Sequence, residues 1–323
     1  MINSLRSHSL LGKFVLVGGL LSLVVFAKLP YGVEFLHVLQ KTAHPVTFGL
    51  VSLLILSMLR ETSVSSGSAA RSYIFGFVAT VGLGAAAEIA QFFVHRDPAV
   101  LDVFRDALGA GTALGGQAWI ESRRCAGRCL IRKRIVPQIL VVSGIAVIFG
   151  PLVWCTAAYA NRDLHFPVVA QFESPLDLYF VGLNVHGLRR IPAPSAFASA
   201  ADPTVLEVPL GSEPWPGVAI VGPYPDWTHK SVLAIDLTNP TEAAAAVTVR
   251  INDRQHNQEF SDRFNREFIV PPQSRKVLRI PLTEIASAPR GRRMDMAHIA
   301  HIGLFSSRAP RPKEFLLNRV WVE

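Results

Sequence analysis

Five polar residues between positions 88 and 106 carry the clearest chemical signal: Glu88, Gln91, Arg96, Asp102 and Asp106. Gln91 follows Glu88 by three residues and Asp106 follows Asp102 by four, spacings that place each pair on one face of a helix. Paired carboxylates do acid–base work when burial pushes their pKa values apart, and an arginine beside them suits a phosphate. No serine or cysteine nucleophile is near. His44 is a further candidate member. Three uses of the cluster stay open. One is structural ion pairing, chiefly of Arg96 with Glu88 or an aspartate. A second is binding of a polar head group or lipid-linked substrate. The third is catalysis with Glu88 and Asp102 or Asp106 as acid and base. Asp102 also suits a helix N-terminus, where a carboxylate accepts from free N–H groups and opposes the dipole.

The segments around these residues are apolar enough to span a bilayer, which takes about 20 residues. Windows at 10–29, 43–59, 73–94, 103–120 and 136–160 predict about five transmembrane helices. In this frame Glu88 sits about fifteen residues, ~22 Å, from the cytoplasmic end of the third span, toward the outer side. An ionisable group at such depth faces a bundle interior, a partner or a pathway. The fourth window is short and rich in Gly and Ala, with Gly111 and Gly115 as a small-xxx-small pair suited to close helix packing. The first window lacks a small-x-small cleavage site after it and reads as an uncleaved anchor.

Charge divides the chain. Of 323 residues with a net charge of +8 and 17% charged side chains, residues 1–161 hold 14 Lys/Arg against 7 Asp/Glu, and residues 162–323 hold 18 against 17. The expected domains are therefore a membrane domain, 1–161, and a nearly neutral second domain, 162–323. The loop at 121–134 carries six Arg/Lys and one Glu, whereas the alternate loops are poor in Lys/Arg. The positive-inside rule then puts the N-terminus in the cytoplasm and, with five spans, the second domain outside. The basic excess reads as a topology signal and a contact with anionic membrane lipids. Without interleaved aromatics it is not a nucleic-acid surface. Cys125 and Cys129, four apart without a nearby histidine, and Cys155 imply neither metal nor cofactor.

The stretch EIAQFFVHRDPAVLDVFRDALGAGTALG (88–115) resembles the VanZ-like family, whose pattern is Glu-x-x-Gln, a loop arginine, then Asp-x-x-x-Asn-x-x-Gly. Glu88, Gln91, Arg96, Asp102 and Gly109 match. Asp106 stands where the family has Asn, which keeps an oxygen and loses the amide donor. His44 resembles the family's earlier His motif, with Lys41-Thr42 in place of Asp-Lys. The resemblance covers roughly residues 15–120 and implies a bacterial inner-membrane protein of the cell envelope, a location and a theme rather than a reaction.

After residues 162–195, expected to be a linker leading into strands, and the Pro/Ala/Ser/Gly-dense 191–226, expected to be loops or an irregular edge, short β-rich runs alternate with turns at 231–240, 245–253, 264–273, 274–282, 298–307 and 314–323. They predict an all-β sandwich that contains no cysteine and must hold by its core. The segments 226–240 and 247–285 resemble galactose-binding-like jelly-roll domains. That resemblance implies sugar stacking on Trp215, Tyr224 or Trp227, with hydrogen bonds from Asp253, Arg254, Asp262 and Arg263; core and turn roles for the same residues stay open.

The expected fold is thus a multi-span α-helical membrane domain followed by an extracytoplasmic jelly-roll-like β-sandwich. The expected function is to bind or organise cell-surface glycan or a lipid-linked saccharide. The alternatives are a membrane-embedded enzyme acting on such a saccharide and a structural partner of polysaccharide assembly or export proteins.

Overall fold

The computed structural model describes residues 2–27, 34–62, 69–93, 99–124, 131–183, 187–199, 202–212, 214–306 and 312–323. The chain divides into two compact units, Met1–Cys155 and Thr156–Glu323.

The first unit is helical: α1 (Ile2–Phe26), α2 (Glu34–Glu61), α3 (Ala69–Phe93), α4 (Val100–Arg124) and α5 (Ile131–His165), the last continuing into the second unit. Among the described residues, four of these are long and apolar enough to cross a membrane: α1, α2, α3 and α5. The fourth expected span is a full-length helix that falls outside this set, because Asp102, Arg105, Asp106, Gln117 and Glu121 interrupt its apolar residues. It packs closely on its neighbours. A Cβ at Gly109 of α4 would land on the Pro45 carbonyl of α2, and one at Gly84 of α3 would lie 2.9 Å from Asp106 Oδ2. At the far ends of α2, α3 and α4, Glu121 binds Arg60 at 2.5 Å and accepts from the Tyr73 hydroxyl at 2.9 Å.

The second unit is an antiparallel β-sandwich. One sheet runs β3 (Arg189–Pro192), β4 (Thr204–Pro209), β11 (Glu314–Val322), β6 (Val232–Asn239), β9 (Ser274–Pro281), with β1 (Val168–Ala170) also paired to β11. The other runs β2 (Val181–Leu183), β5 (Gly217–Val221), β10 (Ile299–Phe305), β7 (Ala245–Asp253), β8 (Phe264–Val270). Period-two alternation sets the packing. Val247, Val249 and Ile251 of β7 meet Ile302 and Leu304 of β10 on the inner face, opposite Leu233, Ile235 and Leu237 of β6. Trp227 and Phe172, both fully buried, close the core.

The six β-rich runs of the sequence become β6 to β11, with α6 (Leu282–Ala286) starting directly after β9. The segment expected to be linker and loops is corrected. Residues 162–226 hold the last turn of α5 and β1 to β5. Those strands are short, and the central GVAIV run is apolar at every position, so it shows no alternation.

Candidate functional site

In the helical unit, His44 of α2 and Asp106 of α4 come together. His44 Nδ1 lies 3.6 Å from Asp106 Oδ1, longer than a hydrogen bond. The Asp106 side chain is 1% exposed, and neither of its oxygens has a hydrogen-bond partner among the described residues. Glu88, also buried, accepts the Ala99 N–H through Oε2 at 2.9 Å, and its Oε1 has no partner among the described residues. Glu88 therefore caps the start of α4, the role considered for Asp102. Asp102 instead pairs with Arg105 one turn on. Gln91 donates to the Val24 carbonyl of α1 at 3.4 Å. Arg96, Cys125 and Cys129 lie outside the described residues.

In the sandwich, the residues expected to bind a ligand part company. Trp227 is core: fully buried, it donates its indole N–H to the Tyr224 carbonyl at 2.8 Å. Tyr224 stacks on Phe166 with ring centroids 4.1 Å apart. Asp253 and Asp262 are both held by Arg292, which donates to Asp253 at 2.6 and 2.8 Å and to Asp262 at 2.5 and 3.1 Å. Arg292 holds the Asp262 carboxyl at about 2, and it also holds Asp253 below the usual range against the opposing effect of burial. These two carboxylates are committed to a structural clamp. Arg254 is exposed in the turn after β7. Trp215 is 59% exposed and meets Phe305 edge-on at 5.8 Å.

Phe305 places Trp215 at the outer face of the β2–β5–β10–β7–β8 sheet. The register puts Gly182, Gly217, Ala219, Val221, His301, Gly303, Phe305, Thr248, Arg250, Asn265 and Glu267 on that face. Small residues line its middle, and a Cβ at Gly217 would land on the Leu304 carbonyl. Aromatic rings stand at one end and polar side chains at the other. The margins of the face are exposed, with Val221 at 50% and Ile269 at 49%, whereas Gly217, Ala219 and Gly303 at its middle are buried. The outer face of the other sheet differs. There Arg275 binds Asp236 and Asp202, each at 2.6 Å, and the Phe197 carbonyl at 2.8 Å, while Asn318 bonds Asp236 and Thr238. This network draws the loop around Phe197 over the face, while Arg319, opposite Asp236, keeps a buried Nε without a partner among the described residues.

Arg250, His301, Asn265, Thr248 and Phe305 were not singled out by the sequence reading. The available signal was their alternation with core residues in β7, β8 and β10.

The class of protein defined here is a helical unit, with helices apolar enough to cross a membrane, followed by an antiparallel β-sandwich. No family model matches the chain, and no curated protein matches it. Solved structures similar to it over the sandwich include an exo-beta-agarase, at 16% identity and TM-score 0.38, covering 48% of this chain and 24% of that one. Another is a family 11 carbohydrate-binding module from Clostridium thermocellum in complex with a mixed-linked tetrasaccharide, at 13% identity and TM-score 0.33, covering 44% of this chain and 85% of the module. This chain thus spans about a quarter of the agarase.

Proposed function

We propose that this chain is a membrane-anchored glycan-binding protein of a bacterial envelope, with a VanZ-like helical unit in the inner membrane and the β-sandwich outside. The observation that supports it best is the outer face of the β2–β5–β10–β7–β8 sheet. An exposed Trp215 against Phe305, a closely packed strip of glycine and alanine, and a half-buried polar end with Arg250, Asn265 and His301 together form a platform. An aromatic face stacks on a sugar ring, small residues admit the chain, and polar side chains take the hydroxyls. The test is affinity electrophoresis of the full-length protein in detergent through gels containing soluble polysaccharides. Retardation by at least one polymer, weakened at least tenfold by Trp215→Ala, is the expected result. Migration unchanged in every polymer rejects the reading.

A second reading makes the helical unit a membrane-embedded enzyme on a lipid-linked saccharide. It is favoured by the buried His44–Asp106 pair beside Glu88, three ionisable groups with atoms that have no partner among the described residues. In it Asp106 or Glu88 moves a proton and His44 holds Asp106 in place. Turnover of undecaprenyl-linked saccharide by purified protein, lost in Asp106→Asn and Glu88→Gln at undiminished membrane abundance, is the expected outcome. Absence of turnover by the parent protein would refute it.

A further inference from the structure

The polar end of the sandwich platform has a charge imbalance that its other ion networks lack. Arg275, Arg292, Arg266 and Arg279 each reach a carboxylate. Arg250 and Arg263 form no ion pair among the described residues. Arg250 is half-buried on β7, cross-strand from Asn265 and Gly303. Arg263, also half-buried, precedes β8 and lies over the Phe260 ring at 5.1 Å. The hydrogen-bond partner of the Arg250 guanidinium is His256 Nε2, 3.2 Å from Nη2. His256 Nδ1 lies 2.9 Å from the Asp262 carbonyl oxygen, so it carries the ring proton and the imidazole meets Arg250 as a neutral acceptor.

Further polar atoms converge on the same end without partners among the described residues: Nε of both arginines, both amide atoms of Asn265 and Nδ1 of His301. His301 bends over Gly303, where a Cβ would lie 3.1 Å from its Cε1. Its pKa is pushed down to about 4, first by burial and then by the positive charges of Arg250 and Arg263. Arg263 and Asn265 also line a groove of about 760 Å³ together with Phe260, Arg290, Glu259 and Glu284, the last of which is paired with Arg266. Half-burying two like charges without an ion-pair partner is costly. A bound oxyanion supplies the missing charge through charge-assisted hydrogen bonds.

We propose that the Arg250–Arg263–Asn265–His301 end of this platform is an oxyanion subsite, so that the glycan it takes is an acidic one bearing carboxylate, sulfate or phosphate. The inference rests on the glycan-binding reading above and adds the charge class of the ligand. Trp215 and Phe305 then stack on a neighbouring sugar, and the arginines select against a neutral polymer of similar shape.

The test is affinity electrophoresis of the full-length protein in polygalacturonate, heparin, a teichoic-acid-type phosphopolymer and neutral dextran. The expected result is retardation by at least one of the three anionic polymers, at least tenfold stronger than by dextran. Arg250→Gln and Arg263→Gln should each reduce it at least tenfold, and Arg279→Gln on the other sheet less than twofold. Which of the three polymers binds distinguishes carboxylate, sulfate and phosphate. Equal binding of dextran, unaffected by Arg250→Gln, overturns the subsite while glycan binding stands. Equal loss in Arg279→Gln marks attraction by net charge and also overturns it. No retardation by any of the four rejects both readings. A second readout needs no ligand. Removing an uncompensated charge leaves Tm unchanged or raised in Arg250→Gln, and a fall of more than about 5 °C would mean that Arg250 has a structural partner.

Discussion

Arg292 Nη1 lies 2.6 Å from Asp253 Oδ2, and the Asp253 side chain is fully buried. The same guanidinium reaches Asp262 at 2.5 Å, so one arginine ties the end of β7 to the turn before β8. The clamp fixes the segment that carries His256 and Arg263. Arg292→Ala leaves Asp253 buried and uncompensated. Loss of one partner of a buried pair costs about 3–5 kcal/mol, which urea unfolding of the sandwich will read as a lower midpoint at unchanged slope.

Stability should fall on acidification in two stages. His301 titrates at about 4 when folded, against ~6.5 in an unfolded chain, so the unfolded state binds more protons between these values. Its contribution is complete above ~6.5 and is lost as pH falls toward 4. Asp262, at about 2 when folded, and Asp253, also lowered, add stability that is present above the unfolded carboxyl value of ~3.9 and is lost below it. Chemical denaturation across pH 7 to 2 checks this, and His301→Phe should remove the upper stage.

The two tryptophans expected to act alike should behave oppositely. Trp227→Ala opens a cavity in the core and costs about 3–5 kcal/mol. Trp215→Ala, on the surface, stays within about 0.5 kcal/mol while weakening glycan retention. Denaturation midpoints of the two variants, measured side by side, decide the point.

In the helical unit, Gly109→Ala sets a methyl group against the Pro45 carbonyl and forces α2 and α4 apart. Overpacking of this kind costs about 1–3 kcal/mol. Gly111→Ala meets Phe77 at an ordinary 3.8 Å and should be silent. Thermal unfolding of the detergent-solubilised variants separates the two.

The apolar helices and the six strands from β6 to β11 were legible because their signals are local. Long uncharged windows and period-two alternation are properties of consecutive residues. Strands β1 to β5 were missed because runs of three to six residues among prolines lack that alternation, and pairing within the sheets, β4 with β11 and β3, and β5 with β10, is what makes them strands.

The amino-acid sequence by itself determined two kinds of segment and two sets of polar residues, since burial preference and charge are written residue by residue. Only the tertiary structure decided which polar groups have partners. It gave Asp253 and Asp262 to Arg292, Asp236 to Arg275 and Asp106 to His44, and it left Arg250 and Arg263 without a carboxylate among the described residues. Such pairing depends on distances between positions as far apart as 44 and 106 or 253 and 292. Electrostatic energy falls with separation in space, and separation in space is set only when helices cross and strands take register.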